Sequence, residues 1–246
     1  MSDGSLRNAA GTGAGGREFI TRGGIKVSDA EEALEELAMF LKSARSKIRK
    51  SNRTSVHVHC NVQDLTLSQL VCLLTLYYSV EPILSRFNGF ERENNLFCLQ
   101  ARFAEEIIAN LRSFLETKRV IENCKYSALN YMPLQRGQLG TIEFRAGQGI
   151  SKSPVEVLPW IQIIEQVYNT ALKWESPMDI LNELSAKGPC LFIEEALPSI
   201  YHIGLELFGS QMELDGVLME SVRVAQGLAL RLTGNVSTQK KTKASW

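Results

Sequence analysis

The spacing of apolar residues along the chain alternates between helical and strand periods. Ser28-Asp29-Ala30-Glu31 reads as a capping box, and Ala33, Leu34, Leu37, Phe40 and Leu41 follow at helical spacing. An amphipathic helix to about Ile48 is expected, its basic end of Arg45, Lys47, Arg49 and Lys50 complementing the helix dipole. Ser55-Val56-His57-Val58-His59-Cys60 then switches to period two, which predicts a strand with His57 and His59 on one face and Val56 and Val58 on the other. Thr66-Leu67-Ser68-Gln69 is a second capping box, opening a strongly apolar helix from Leu70 to about Phe87. Another amphipathic helix is expected from Phe103 to about Glu116.

Lys125 to Tyr131 has strand composition, and a glycine turn from Gly137 to Gly140 leads into Gly140-Thr141-Ile142-Glu143-Phe144-Arg145. There Glu143 and Arg145 share one face and Ile142 and Phe144 the other, so an antiparallel hairpin would set Asn130 beside Glu143 and Arg145. Ser153-Pro154-Val155-Glu156 is a third capping box with proline at the first helical position, starting a helix to about Trp174 with Trp160, Ile163, Ile164, Val167 and Ala171 on one face. Ser176-Pro177 opens a further helical region that runs to about Thr233. Residues 235 to 246, with Lys240, Lys241 and Lys243, have the composition of a flexible polar tail, and no internal repeat appears.

The composition suits such a mixed fold. With 246 residues, 44% hydrophobic and 22% charged, the chain can bury a substantial core, as a soluble globular protein would. Its 27 basic and 27 acidic residues cancel, so no overall field argues for nucleic acid or an anionic membrane. Residues 1 to 16 are polar and glycine-rich, unlike a secretory leader, and no apolar run is expected to span a bilayer. Five scattered cysteines, Cys60, Cys72, Cys98, Cys124 and Cys190, lack CxxC spacing and fit a reducing cytoplasm better than a disulfide framework.

Candidate chemistry gathers on the strands. Gly11 to Gly16 formally matches GxGxxG, but no strand precedes it and a short strand, Arg17 to Thr21, is expected after it, the reverse of a dinucleotide fingerprint. In that strand Glu18 is either a site carboxylate or a solvated one. Glu81 interrupts an apolar run just before Pro82, so it either turns the chain or faces a polar cavity. Arg92 is an anion ligand if it faces inward, and His202, among Ile200, Ile203 and Leu205, reads as an ordinary core or surface histidine. Cys60 alternates away from His59 toward the core. Imidazole and carboxylate on adjoining strand faces can bind a divalent metal, and a nearby arginine adds fixed charge for phosphate or carboxylate. A structural histidine pair with a strand ion pair accounts for the same residues, and a metal-dependent hydrolase built on the HxH pair is a further reading.

The ordered set Asp3-Gly4-Ser5-Leu6, Gly16-Arg17-Glu18-Phe19, His57-Val58-His59, Arg92, Ala128-Leu129-Asn130 and Thr141-Ile142-Glu143-Phe144-Arg145 resembles the amidoligases of the glutamine synthetase-like carboxylate–amine ligase superfamily. The resemblance covers about residues 3 to 175. It implies an α+β fold, a glutamine synthetase-like curved antiparallel sheet with helices on one face and a helical C-terminal part. Residues 1–234 would form one amidoligase-like domain, with 1–16 a glycine-rich loop and 176–234 the helical part.

The activity implied is ATP- and Mg2+-dependent formation of an amide or isopeptide bond through an acyl phosphate, from small-molecule or peptide carboxylate and amine substrates. By resemblance, His57 and Glu143 would be metal ligands, and Asp3 and Glu18 would serve a second metal. His59, with Asn130 and Glu81, would lie on the nucleotide side, and Arg92 and Arg145 would stabilise the transferred phosphoryl group or hold the substrate carboxylate. Such families occur in phages and bacteria, so a cytoplasmic setting is expected, the host cytoplasm for a phage-encoded protein.

The chain departs from the family in one respect. Members begin with a Gly-x-Glu-x-Glu strand whose glutamates bind the metals, whereas here Met1 stands just ahead of the Asp3-Gly4-Ser5-Leu6 segment. Three expectations follow: an incomplete or misassigned start, a strand supplied by another chain or a homo-oligomer, or an inactive member acting as a binding or structural component.

Overall fold

The computed structural model describes residues 19–21, 23–43, 54–93, 95–103, 105–117, 126–135 and 138–236. Asp3, Glu18 and residues 237–246 of the polar tail lie outside the described residues, as do Cys124, Gly137 and the basic stretch expected to close the first helix; the first two residues of the expected tail, 235 and 236, continue the last helix. The fold is α+β, mostly helical, with a small antiparallel sheet of β1 (Ser55–Asn61), β2 (Leu129–Asn130) and β3 (Thr141–Gln148) in the order β1-β3-β2. The strand expected at Arg17 to Thr21 does not extend into its described part: Phe19, Ile20 and Thr21 are irregular and exposed, without a strand to pair with among the described residues.

The first helix, α1 (Ala30–Ser43), follows a single 3-10 turn at Val27–Asp29, where the Ser28 hydroxyl donates to Asp29 rather than capping from the expected box. The second box forms in full: Thr66 Oγ1 accepts from the Gln69 amide at 3.2 Å, and Gln69 Oε1 accepts from the Thr66 amide at 2.9 Å. It starts α2 (Leu67–Phe87), the central helix of the molecule. Sixteen consecutive residues of α2, Leu70 to Ser85, are buried. Each fully enclosed leucine there contributes roughly 2 kcal/mol by removing apolar surface from water.

At 21 residues and a mean hydropathy of 1.4 over its most apolar window, α2 is long and apolar enough to cross a bilayer, contrary to the expectation from sequence. Eighty-three per cent of that window is buried inside the protein, so the apolar length is used to build the core. Pro82 does not stop α2, and Glu81 therefore lies inside a continuous helix rather than at a turn.

After α2, Asn88 and Gly89 make a corner into the single turn α3 (Phe90–Glu93), and α4 (Glu105–Thr117) supplies Leu111, Phe114 and Leu115 to the core. The third capping box is also complete, with Ser153 ahead of a 3-10 turn (Pro154–Val157) that contains Glu156 and leads into α5 (Leu158–Ala171). Ser176 caps α6 (Pro177–Lys187) through its hydroxyl, 3.2 Å from the Met178 amide. The region expected to continue to Thr233 is divided into α7 (Pro189–Ala196), α8 (Pro198–Phe208) and α9 (Gln211–Val236). Prolines at 189 and 198 begin new helices, while Gly188 (φ 81°) and Gly209 (φ 79°) stand at breaks that a side chain would strain.

The C-terminal helices gather around α2, with α5, α6, α8 and α9 all touching it. The sheet lies on the same core: Val56, Val58, Cys60, Ile142 and Phe144 face inward, and the Phe144 ring meets Tyr77 of α2 at 5.3 Å between centroids. His202 is exposed on α8.

Candidate functional site

The polar face of the sheet is organised around Glu143, in the middle of the central strand. Antiparallel pairing sets His59 opposite Glu143 on one side and Asn130 opposite it on the other, so three residues form one row across all three strands. The expected hairpin relation between Asn130 and Glu143 is thus present, although the strand foreseen from Lys125 to Tyr131 is ordered as β2 only at Leu129–Asn130. Ser127 instead makes an isolated parallel bridge with Leu99.

Between Val56 and Val58 the register slips. Val56 faces Gly147 and Val58 faces Phe144, leaving Arg145 and Ala146 together opposite His57. This is a β-bulge, an extra residue that bends the strand and redirects side chains.

The Glu143 carboxylate is buried and surrounded by donors. Its Oε1 lies 2.7 Å from His57 Nδ1, 2.8 Å from Arg145 Nη1 and 3.8 Å from His59 Nε2, while Oε2 accepts from Asn130 Nδ2 at 2.5 Å. Each histidine has a second polar contact: His57 Nε2 is 2.8 Å from Ser55 Oγ, and His59 Nδ1 is 2.9 Å from Thr141 Oγ1. An ionised carboxylate can only accept, so His57 Nδ1 carries the proton in that pair. Burial alone would raise the Glu143 pKa, but the His57 hydrogen bond, the Arg145 charge, the His57 charge and the Asn130 amide outweigh it and hold the group at about 2.

Ser55 and Thr141 were absent from the sequence candidates. Strand alternation could have found both, because Ser55 shares the His57 and His59 face and Thr141 shares the Glu143 face.

Arg145 is also buried, and its Nε has no hydrogen-bond partner among the described residues. Arg92 reaches the same strand differently. Its Nη2 donates to the Arg145 carbonyl at 2.6 Å and its Nε to the Ala146 carbonyl at 3.3 Å. Burial, reinforced by the nearby Arg145 charge and opposed by Cys98, lowers the Arg92 pKa.

Glu81 stands apart from this cluster. Its Oε2 accepts from the Ala101 amide at 2.8 Å, whereas Oε1 is buried without a hydrogen-bond partner among the described residues. Burial pushes its pKa up to about 8 against the opposing effects of the Ala101 amide, Tyr77 and Arg102.

The described donor set does not by itself fit Mg2+, which takes oxygen ligands in near-octahedral array. It offers one carboxylate, and the oxygen nearest the histidines already faces a guanidinium that would repel a cation. Among the described residues, no group of three or more His, Cys, Asp and Glu side chains is arranged to hold a metal ion. Asp3 and Glu18, the carboxylates that the resemblance assigns to a second metal, lie outside the described residues.

The described cysteines Cys60, Cys72, Cys98 and Cys190 are free. Burial pushes the Cys60 thiol up to about 12, and burial together with Asp179 does the same for Cys72, so neither is an activated nucleophile.

No family model, no curated protein and no solved structure matches the chain.

Proposed function

We propose that the polar face of the sheet is the reaction site of an ATP- and Mg2+-dependent carboxylate–amine ligase, carried on a glutamine synthetase-like fold. The observation that carries this reading is the convergence of His57, His59, Asn130, Glu143 and Arg145 on one sheet face. These five residues come from three strands, and all were singled out by the ordered resemblance to amidoligases. In this reading Glu143 stays ionised, His57 and His59 flank it, and Arg145 supplies fixed positive charge toward a phosphoryl or carboxylate group. ATP would supply the phosphoryl group and leave as ADP, and Mg2+ would neutralise phosphate charge; using Glu143 as a metal ligand would require Arg145 and His57 to release Oε1, and the remaining carboxylates to come from Asp3 and Glu18. Small-molecule or peptide acids and amines are the proposed substrates.

A second reading is a non-catalytic protein that keeps this fold for binding or structure. One observation favours it: both Glu143 oxygens are engaged by the chain's own donors, which neutralise the carboxylate without any ligand. Phosphate release from ATP with Mg2+, measured across a panel of carboxylates and amines, separates the two. The ligase reading expects release that requires both an acid and an amine and is lost in Glu143→Gln and in His57→Ala. Absence of release with every pair, together with no nucleotide binding, would leave the binding reading.

A further inference from the structure

The resemblance treats Arg92 as a contact to the transferred group, but its hydrogen bonds lead elsewhere. Among the described residues no carboxylate forms an ion pair with it, and its guanidinium donates to two successive carbonyls of β3. Those carbonyls belong to Arg145 and Ala146, the two residues that share the place opposite His57 in the bulge. A bulge leaves ladder groups without strand partners, and a buried carbonyl needs a donor from some other source.

The corner after α2 provides that source. β2 pairs with β3 only at Glu143 and Phe144, and one further bond runs from the Arg145 amide to the Ala128 carbonyl at 2.8 Å. Beyond this point the corner continues the contact with β3. Arg92 takes the next two carbonyls, and Asn88 Oδ1 accepts from the Gln148 amide at 3.2 Å while its Nδ2 donates to the Leu84 carbonyl.

The corner itself is built for close approach. Gly89 has φ 95°, a Cβ there would come within 3.0 Å of Gln148 Nε2, and its carbonyl accepts from the Arg92 amide at 2.8 Å. On the other flank, Cys98 Sγ contacts the Arg92 carbonyl at 3.3 Å. Arg92 is therefore held at its main chain and committed at its side chain.

We propose that Arg92 is a positioning residue: by holding the Arg145 and Ala146 carbonyls it fixes the bulge of β3, and so sets the distance at which His57 and Arg145 meet the Glu143 carboxylate. The inference deepens the ligase reading and rests on it for its purpose, while its geometry can be tested without substrate. A planar guanidinium bridges two carbonyls with a fixed fork, which the single ammonium of lysine cannot reproduce. Loss of the fork frees the bulge and loosens His57 from Glu143.

The readout is the imidazole N–H proton of His57 in the NMR spectrum of the full chain, assigned by its disappearance in His57→Gln and its displacement in Glu143→Gln. In Arg92→Lys this proton should exchange with solvent about tenfold faster than in the parent protein, because local opening of the pair becomes easier. Arg86→Gln is the control, since Arg86 belongs to the same corner but lies over the Phe208 ring and near Glu93 instead of on β3. Its proton should exchange at the parent rate even where its melting temperature falls. Gly89→Ala moves the corner with Arg92 intact and should reproduce the Arg92→Lys effect, which keeps the test decisive if the lysine variant folds poorly. A parent exchange rate in Arg92→Lys, or equal acceleration in Arg86→Gln, overturns the proposal. Failure of the ligase reading is recorded separately, as absent ATP turnover by the parent protein.

Discussion

Two buried glutamates carry opposite charge states for reasons that can be read from their surroundings. Glu143 is 5% exposed and Glu81 is 2% exposed, so both are buried, Glu81 the more deeply. Glu143 sits on the polar sheet face with an imidazole, a guanidinium and an amide on its oxygens; it stays ionised, with its pKa held at about 2. Glu81 sits inside α2 with one backbone amide and an unpartnered second oxygen, and its pKa is raised to about 8. Burial raises both groups, and the number and charge of the donors decide whether it prevails: they make Glu143 an anionic hub and leave Glu81 a neutral part of the core.

The largest expected effect comes from removing the hub. Glu143→Leu leaves the buried Arg145 without its counter-charge and should destabilise the protein by about 3–5 kcal/mol, measured by chemical denaturation at pH 7. The corresponding change at the other glutamate, Glu81→Gln, keeps the shape of a neutral carboxyl and should change stability at pH 5 by less than about 1 kcal/mol. Equal losses from the two substitutions would erase the distinction.

The histidines divide the hub further. His57, 2.7 Å from Oε1, should cost about 1.5–3 kcal/mol when replaced by glutamine, as expected for a hydrogen bond to a charged group. His59, at 3.8 Å and more exposed, should cost under about 1 kcal/mol on the same replacement.

The pH dependence has opposite signs at the two sites. The depressed Glu143 pKa means that the unfolded chain binds the extra proton between about 2 and 4.5, so this contribution to stability is present above 4.5 and lost as pH falls through 2. The raised Glu81 pKa means that the folded chain keeps the proton between 4.5 and about 8, so stability declines as pH rises across that window. Denaturation profiles should have a shallower acid limb in Glu143→Gln and a smaller decline between 4.5 and about 8 in Glu81→Gln. Carbon NMR of the two carboxyl groups offers an independent check, and titration of both near 4.5 would remove the contrast.

Local signals made much of the fold legible in the sequence. The boxes at Thr66/Gln69 and Ser153/Glu156, and the Ser176 cap, are set by residues three or fewer apart, so they formed where the pattern placed them. Alternation in β1 and β3 likewise brought His57, His59, Glu143 and Arg145 to one face.

Long-range partners decided the rest. The bulge opposite His57 depends on Arg92, 53 residues before Arg145, and no local pattern marks an arginine that will serve two carbonyls. Glu81 looked like a turn or cavity residue because Pro82 follows it, but burial of the whole α2 surface carried the helix past both. The strand expected before Tyr131 is ordered only at Leu129–Asn130, and Ser127 bridges to Leu99, a contact that only the folded chain creates.

Ligation at the Glu143 face is tested by calorimetric titration of ATP into the intact chain, with and without Mg2+. Ligation requires binding that depends on Mg2+ and is lost in Glu143→Gln, with circular dichroism confirming that the variant is folded. No Mg2+-dependent ATP binding by the intact chain would contradict it.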